Sequence, residues 1–384
     1  MRLSFKYRIY PTKAQIKIIE ENFEFCRVLY NCNLEDRIND FKSSKTTGVK
    51  STVNYYSQAG QLKQIRKVHS EKVKNLYSQT LQHVLKRLDL AYENFFRRVK
   101  EKKSGEAFGF PRFKTENSFK SICFPQCDLK TGGVKKLNND KLKIKGLPGE
   151  VKVKWHRLHE GQCKQVIIKK HSDKFYIILS CDNVPAKHLT KTGKIIALDL
   201  GLNCFAMTDD GTQFHHPKPY KTAKEKLAFL NQKLANKKKG SNNRKKVKKQ
   251  LAKAHEKVSN VRLDFLHKLS NKLVKENDKI IIEKLNIKSM LEAKGFEVNK
   301  GNIADASWGE FIRQLKYKAE RAGRLVIEVD PKNTSKMCSN CNHIDKGQTL
   351  KNRTYDCKSC GLAIDRDQNA AKNILRLGIS RVIP

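Results

Sequence analysis

Lys194-Ile195-Ile196-Ala197-Leu198-Asp199-Leu200-Gly201 is an apolar run too short for a helix, and it closes on a carboxylate and a glycine. A run with no polar residue on either face predicts a strand buried on both sides, in a parallel or central position of a sheet. The pattern returns at Lys279-Ile280-Ile281-Ile282-Glu283, which also ends in a carboxylate, and Leu325-Val326-Ile327-Glu328-Val329 reads as a third strand. Between the first two strands, residues 219–277 are strongly helical, with a break at 237–246. After the break Val247, Leu251, Ala254, Val258, Val261, Phe265, Leu269 and Leu273 recur every three or four residues, predicting a helical hairpin with a basic tip. Ser307–Ala322 is an amphipathic helix through Trp308, Phe311, Ile312, Leu315 and Ala319, and Asp365–Leu377 is a last helix. Residues 292–306 read as an irregular loop, and Asp209-Asp210-Gly211 as a hairpin turn whose aspartates form the turn.

The first half differs. Met1–Tyr10 alternates charged and apolar residues as a strand does, without the apolar core of a signal segment. Pro11-Thr12 opens a helix to about residue 40, with Ile16, Ile19, Phe23, Cys26, Leu29 and Tyr30 on one face. A second long helix, about 74–102, carries Leu81, Val84, Leu85, Leu88, Tyr92, Phe95 and Phe96, and the Phe95-Phe96 pair reads as core packing. Residues 103–118 form a Gly- and Pro-punctuated loop in which aromatic and basic residues alternate, suited to stacking on bases and pairing with phosphates. Short strands follow near 119–125, 141–145, 151–155, 164–170 and 174–181, with turns such as Thr131-Gly132-Gly133 and Asn138-Asn139-Asp140. Their natural closure is a small barrel.

The 384 residues carry 80 lysines and arginines against 38 aspartates and glutamates, a formal charge of +42, which points to a nucleic-acid partner. No stretch approaches the roughly 20 apolar residues that span a bilayer, so no membrane role is expected. Eight basic residues between 237 and 249 meet no acid; Lys237, Lys238, Lys239, Arg244, Lys245 and Lys246 are candidate phosphate contacts, as are Arg112 and Lys114. Of the eleven cysteines, seven (Cys26, Cys32, Cys123, Cys127, Cys163, Cys181, Cys204) are scattered and read as buried or partly buried thiols.

The other four are patterned. Cys338-x-x-Cys341 and Cys357-x-x-Cys360, with fifteen residues between the pairs, supply two thiolate knuckles that close a tetrahedron around zinc. Four thiolates leave no position for water, so this zinc is structural and His343 is not needed. The hairpin between the knuckles is too small to fold by burial alone, and metal affinity must supply folding energy. Asp199, Glu283 and Asp367 stand 84 residues apart at each step, so only the fold can bring them together. Carboxylates so gathered suit phosphodiester hydrolysis by two divalent cations about 4 Å apart, and hard oxygen donors favour magnesium or manganese.

The chain resembles the TnpB (OrfB) proteins of insertion sequences over essentially its whole length. The resemblance is carried by Arg8-Ile-Tyr-Pro-Thr-Lys-Ala-Gln15, Phe110-Pro-Arg-Phe-Lys114, Ala197-Leu-Asp199-Leu-Gly201, Asp264-Phe-Leu-His-Lys-Leu-Ser270, Ile282-Glu283-Lys-Leu285, Cys357-x-x-Cys360-Gly361 and Asp365-Arg-Asp367-Gln-Asn-Ala-Ala-Lys-Asn-Ile374. It implies a miniature relative of type V CRISPR effectors: an α/β nuclease, RuvC-like and of RNase H fold (191–332 and 364–384), with an inserted zinc ribbon that binds target nucleic acid (333–363). A wedge, OB-like β-barrel (1–10 and 103–190) and a helical recognition part (11–102) complete the expected architecture. Asp199, Glu283 and Asp367 become the RuvC triad, Asp367 preferred because the matching position directly precedes x-Asn-Ala-Ala, with Asp365 starting the helix. The resemblance further implies a noncoding guide RNA from the end of the element, a short flanking motif read on double-stranded target DNA, and one site cutting both strands. The expected setting is prokaryotic cytoplasm, in association with the nucleoid, with no protein partner. Residues 292–306 become a candidate lid.

Three rival readings are weaker. A DNA-joining transposase would carry a His-apolar-His motif with a catalytic tyrosine, and His215-His216 and His156-x-x-His159 have the wrong spacing. A catalytically silent RNA-guided repressor would have lost a triad carboxylate, and all three are present. A zinc-ribbon RNA-binding protein leaves the carboxylate-ended strands without a purpose.

Overall fold

A computed structural model describes the chain except residues 74–75, 102–108, 117, 138–139, 293–299, 346, 348–351 and 381–384. Most of the predicted aromatic–basic loop's first half, the Asn138-Asn139 turn and the middle of the candidate lid lie outside the described residues. The chain forms two compact units, Met1–Pro185 and Ala186–Pro384. No helix among the described residues is long and apolar enough to cross a membrane.

In the first unit, β1 (Leu3–Tyr10) buries Phe5, Tyr7 and Ile9 on alternate positions. Next, α1 (Lys13–Thr47) starts at a capping box in which the Gln15 N–H donates to Thr12 Oγ1 at 3.3 Å and the Thr12 N–H to Gln15 Oε1 at 2.9 Å. The helix ends at Gly48 in the left-handed region (φ 73°), several residues beyond the predicted end. The sequence reading missed α2 (Tyr55–Val68): it buries only Gln58 and Leu62, too few apolar positions to show a period. A short α3 (Ser70–Val73) leads to α4 (Ser78–Lys100), which buries Leu81, Val84, Leu85 and Leu88.

Six strands complete this unit: β2 (Ser121–Pro125), β3 (Val134–Lys136), β4 (Lys141–Ile144), β5 (Val151–Lys154), β6 (Gln162–His171) and β7 (Lys174–Asp182), of which β3 was not foreseen. With β1 they form one sheet in the order β2-β6-β7-β1-β5-β4-β3. Gly133, just before β3, lies so close to Phe124 of β2 that a Cβ there would sit 2.2 Å from the ring. The two ends of the sheet thus come round to each other, making a nearly closed barrel.

Two expectations fail here. Phe96 is 54% exposed and Phe95 half-buried; rather than filling the core they line an apolar cavity with Phe41, Tyr92 and Phe110. Cys32 is exposed, because it falls between the buried positions Leu29–Tyr30 and Asn33–Leu34 of α1.

The second unit is built on β8 (Ile195–Asp199), β9 (Ala206–Thr208), β10 (Gln213–Phe214), β11 (Lys279–Glu283) and β12 (Leu325–Val329). Their order is β10-β9-β8-β11-β12: the first three form an antiparallel meander, and β11 and β12 run parallel to β8. The β9–β10 turn holds Asp210, whose carboxylate accepts from Thr212 N at 2.9 Å, while Asp209 accepts from Ala197 N at 2.8 Å. A helical hairpin, α5 (Pro219–Ala235) and α6 (Asn242–Glu276), joins the meander to β11. Between β11 and β12 lie α7 (Ile287–Glu292), α8 (Lys300–Ala306) and α9 (Trp308–Ala322). The described ends of 292–306 are therefore helical rather than irregular; Ile303 and Ala306 bury against the core, which stabilises α8. The small hairpin β13 (Thr354–Asp356) and β14 (Ala363–Asp365) precedes α10 (Arg366–Ile379).

Alternation along the sheet explains the unbroken apolar runs. Leu198, Ile280 and Ile282 pack in one cluster with Trp308, Phe311 and Leu315 of α9, while Ala197, Ile281 and Val329 pack with Ile374 of α10. Both faces are covered. Gly378 lets α10 approach closely, since a Cβ there would sit 2.4 Å from Ile281 Cδ1.

Candidate active site and metal centre

Asp199 and Glu283 are the last residues of β8 and β11. These strands are parallel and in register through Ile282↔Leu198, so Asp199 and Glu283 leave the sheet side by side at its carboxyl end, their backbones about one strand spacing of 4.8 Å apart. Asp367 arrives from another direction, in the first turn of α10. All three line one cavity of about 510 Å³. The structure thus brings together the three carboxylates singled out in the sequence.

Their surroundings differ. Glu283 is 7% exposed and accepts from Thr334 Oγ1 at 2.7 Å. Burial and the nearby carboxylates of Glu283 and Asp367 raise the Asp199 carboxyl well above the ordinary carboxylate range, and burial raises Glu283 as well, against the opposing Thr334 bond. Asp367 is held by cations instead: Arg366 Nη2 lies 2.9 Å from Oδ1 and Arg353 Nη1 3.5 Å from Oδ2. Asp365 is the N-cap, accepting from the N–H groups of Asp367 at 2.8 Å and Gln368 at 3.2 Å, which leaves Asp367 free to face the cavity. Two raised carboxyls beside a third are costly as anions in low dielectric, and the hard oxygen set fits a divalent cation of the magnesium or manganese type. Among the described residues only the four cysteines bring three or more ligand atoms within 4.8 Å of one another; the three carboxylates share one cavity without being gathered that closely.

The four Sγ atoms of Cys338, Cys341, Cys357 and Cys360 all lie within 4.8 Å of one another, with Cys338–Cys360 at 3.7 Å and Cys341–Cys357 at 3.5 Å. A Zn–S bond of about 2.3 Å in a tetrahedron places sulfurs roughly 3.8 Å apart, so the donor set fits zinc. His343 contributes its backbone carbonyl, accepting from Cys338 N at 2.8 Å, and is not in the ligand cluster. Tyr355, fully buried, donates its hydroxyl to Lys336 O at 3.1 Å and anchors the ribbon's small core with Leu362 and Ile364.

Sequence reasoning missed four residues that tie the ribbon to the acidic site. Asn369 and Asn373, one turn apart on α10 and fully buried, donate to backbone carbonyls just before the first knuckle: Asn369 Nδ2 to Met337 at 2.8 Å, Asn373 Nδ2 to Met337 at 2.6 Å and to Thr334 at 2.9 Å. Thr334 in turn bonds Glu283, and Arg353 of the ribbon hairpin reaches Asp367. The i, i+4 spacing of the two asparagines on an apolar helix face was the available signal.

The basic tip divides. Lys238, Lys239, Lys245 and Lys246 are exposed; Lys237 and Arg244 are half-buried. Arg244 Nη1 donates to Leu234 O at 2.5 Å and Lys237 O at 3.0 Å, closing the C-terminus of α5 rather than standing free for phosphate. In the first unit Arg112 is exposed, whereas Lys114 is anchored, its N–H donating to Asn31 Oδ1 at 2.8 Å and its ammonium lying over the Tyr30 ring.

Family models match the chain at residues 178–294, described as a probable transposase, at 308–374, a Cas12f1-like TNB domain, and at 1–46, a helix-turn-helix domain. The last description does not fit the geometry, since 1–46 is a strand followed by one continuous helix. The chain is 31% identical over 320 residues to the putative RNA-guided DNA endonuclease InsQ of Escherichia coli K12, covering 80% of this chain and 76% of that one. It is 29% identical over 389 residues to a putative RNA-guided DNA endonuclease of Streptomyces pristinaespiralis, covering 99% and 90%. It is also 27% identical over 239 residues to the CRISPR-associated endodeoxyribonuclease Cas12f1 of Sulfoacidibacillus thermotolerans, covering 59% and 55%.

Proposed function

The chain belongs to the TnpB (OrfB) family, and from that premise we propose that it is an RNA-guided DNA endonuclease of a transposable element, hydrolysing phosphodiesters at Asp199, Glu283 and Asp367. The observation that carries the proposal is the meeting, in one cavity, of carboxylates from two adjacent parallel strand ends and a helix start. The five-stranded order, an antiparallel meander flanked by two parallel strands, supports a RuvC-like nuclease of RNase H topology. We assign 191–332 and 364–384 to the nuclease, 333–363 to the zinc ribbon, 1–10 with 103–190 to a wedge barrel, and 11–102 to recognition helices.

Magnesium or manganese bound by these carboxylates would supply an activated water and neutralise the leaving oxygen. Asp199 and Glu283, set rigidly on strand ends, would hold the ion. Thr334 orients Glu283 by occupying one of its oxygens. Arg353, whose side chain is 53% exposed at the cavity rim, would meet charge developing on the phosphate. Zinc in the Cys338, Cys341, Cys357 and Cys360 set would fold the ribbon and so fix Arg353 and Thr334.

The partners are a noncoding guide RNA from the element end and double-stranded DNA, with exposed Arg112, Lys238, Lys239, Lys245 and Lys246 as phosphate contacts and base pairing as the source of most specificity. The test is programmed cutting. The protein is expressed with the transcript of its flanking DNA and challenged, with magnesium, with plasmids bearing the target and a randomised flank. Guide-dependent double-strand breaks enriched for one flank and lost in Glu283→Ala support the reading. RNA-dependent binding without cleavage favours a repressor, and no RNA association overturns the proposal.

A further inference from the structure

Two donors at the same cavity have no partner among the described residues. His216 Nδ1 accepts from Lys218 N at 3.0 Å, so in the neutral ring the proton sits on Nε2, and that N–H is buried and unbonded. The ring stacks on Phe205 and lies edge-on to Phe265. Trp308, the first residue of α9 and only 2% exposed, also leaves its indole Nε1–H unbonded. Buried donors are nearly always satisfied, and an orphaned pair beside a reactive cavity calls for an acceptor supplied from outside the chain.

Both residues line the cavity that holds Asp199, Glu283 and Asp367, as do Lys218 and Lys221. The backbone is bent to put them there: Lys218 and Ser307, directly preceding α5 and α9, occupy the left-handed region at φ 44° and 54°, which non-glycine residues rarely adopt. Asp305 is already engaged, paired with Arg262 and accepting from Tyr220 N at 3.1 Å, and does not compete for the two donors.

Two groups that can only donate, flanked by two lysines, complement a ligand whose edge only accepts. The sugar–phosphate backbone of a nucleic-acid strand is such a ligand; a nucleobase, with donors of its own, is a poorer match. Resting on the nuclease reading, we infer that Trp308 Nε1–H and His216 Nε2–H are positioning donors that grip the backbone of the strand entering the cavity. Each side chain turns from its resting position as the strand arrives, and the strand is then held by its backbone whatever its sequence.

The test uses the full chain with its guide RNA. Replacing Trp308 by β-(3-benzothienyl)alanine keeps a bicyclic ring of similar shape and puts sulfur, which cannot donate, in place of the N–H. His216→Asn keeps an acceptor for Lys218 N and removes the second donor, while His216→Gln restores a donor near the Nε2 position. The expected result is a KM for target roughly tenfold higher for each donor removed, with kcat and melting temperature retained, and partial recovery in His216→Gln. Unchanged KM, a loss confined to kcat, or His216→Gln behaving as His216→Asn would overturn the inference.

A second readout is independent of cutting. The chain has two tryptophans, so in Trp155→Phe the emission comes from Trp308 alone. With calcium present, a single-stranded oligonucleotide and an abasic oligonucleotide of equal length should shift that emission alike. A response to the base-bearing strand only would assign Trp308 to base recognition and sink the backbone contact. If the abasic strand shifts the emission while the wild type never cuts, the nuclease reading fails and the strand site stands.

Discussion

Asn369 and Asn373 converge on one carbonyl: both side-chain amides donate to Met337 O, at 2.8 and 2.6 Å, from fully buried positions on successive turns of α10. The same helix carries Asp367, so the base of the first cysteine knuckle and one acidic residue of the cavity are tied to one element.

Asn373→Leu removes the bonds to Met337 O and Thr334 O and strips the Thr334 carbonyl of this partner, while Met337 O keeps Asn369, at a cost of about 2–3 kcal/mol. The second unit should melt lower by roughly 4–10 °C. Asn369→Leu and Asn373→Leu combined should cost more than the sum of the singles, because each single leaves Met337 O bonded to the other amide and only the pair orphans it; a simple sum in calorimetry would contradict the shared anchor.

Asp199 and Glu283 have carboxyls raised by burial, so in the metal-free chain they favour folding below their unfolded values, and that contribution fades as pH rises through the raised folded values. Asp199→Asn should therefore raise the melting temperature of chelator-treated protein at pH 7.5, with the gain shrinking toward pH 4. Magnesium should narrow the gap by stabilising the wild type alone. A gain independent of pH would remove charge repulsion as its cause.

Arg353 sits at the cavity rim, and the proposed function assigns it to the reacting phosphate more than to folding. Arg353→Ala should lower the single-turnover cutting rate by roughly a hundredfold or more with little change in melting. Equal cutting by the variant would leave Arg353 as a mere counter-charge for Asp367.

Removing the zinc proposed for the ribbon should have a different signature. Cys357→Ser should lose zinc on dialysis against chelator and unfold the β13–β14 hairpin, since structural zinc supplies on the order of 10 kcal/mol to such small units. Zinc content by mass spectrometry, read beside amide exchange at Thr354–Asp356, checks it.

At the basic tip two kinds of residue should separate. Alanine at Lys238, Lys239, Lys245 and Lys246 should weaken nucleic-acid binding and flatten its salt dependence by about 0.9 for each phosphate no longer neutralised. Arg244→Ala should leave the salt slope nearly intact and loosen the hairpin by roughly 1 kcal/mol, because its guanidinium holds the end of α5.

The sequence by itself determined whatever is local: the apolar runs that end in Asp199 and Glu283, the two cysteine knuckles, the helix started by Asp365, and the excess of positive charge. These follow from period, spacing and composition, which neighbouring residues carry without reference to the rest of the chain. It was silent on α2, whose inward face is too sparse to show a period, and it misjudged Phe96, whose helical spacing says nothing about whether a partner covers it. What only the tertiary structure decided is who meets whom. The register of β8 against β11 sets Asp199 beside Glu283, the close approach permitted by Gly378 brings α10 onto the sheet, and buried asparagine amides tie the ribbon to it. The same holds for Thr334, Arg353, His216 and Trp308 around the cavity: each is an ordinary residue in its own segment, and its place beside the carboxylates arises from contacts across long stretches of chain that no local pattern encodes.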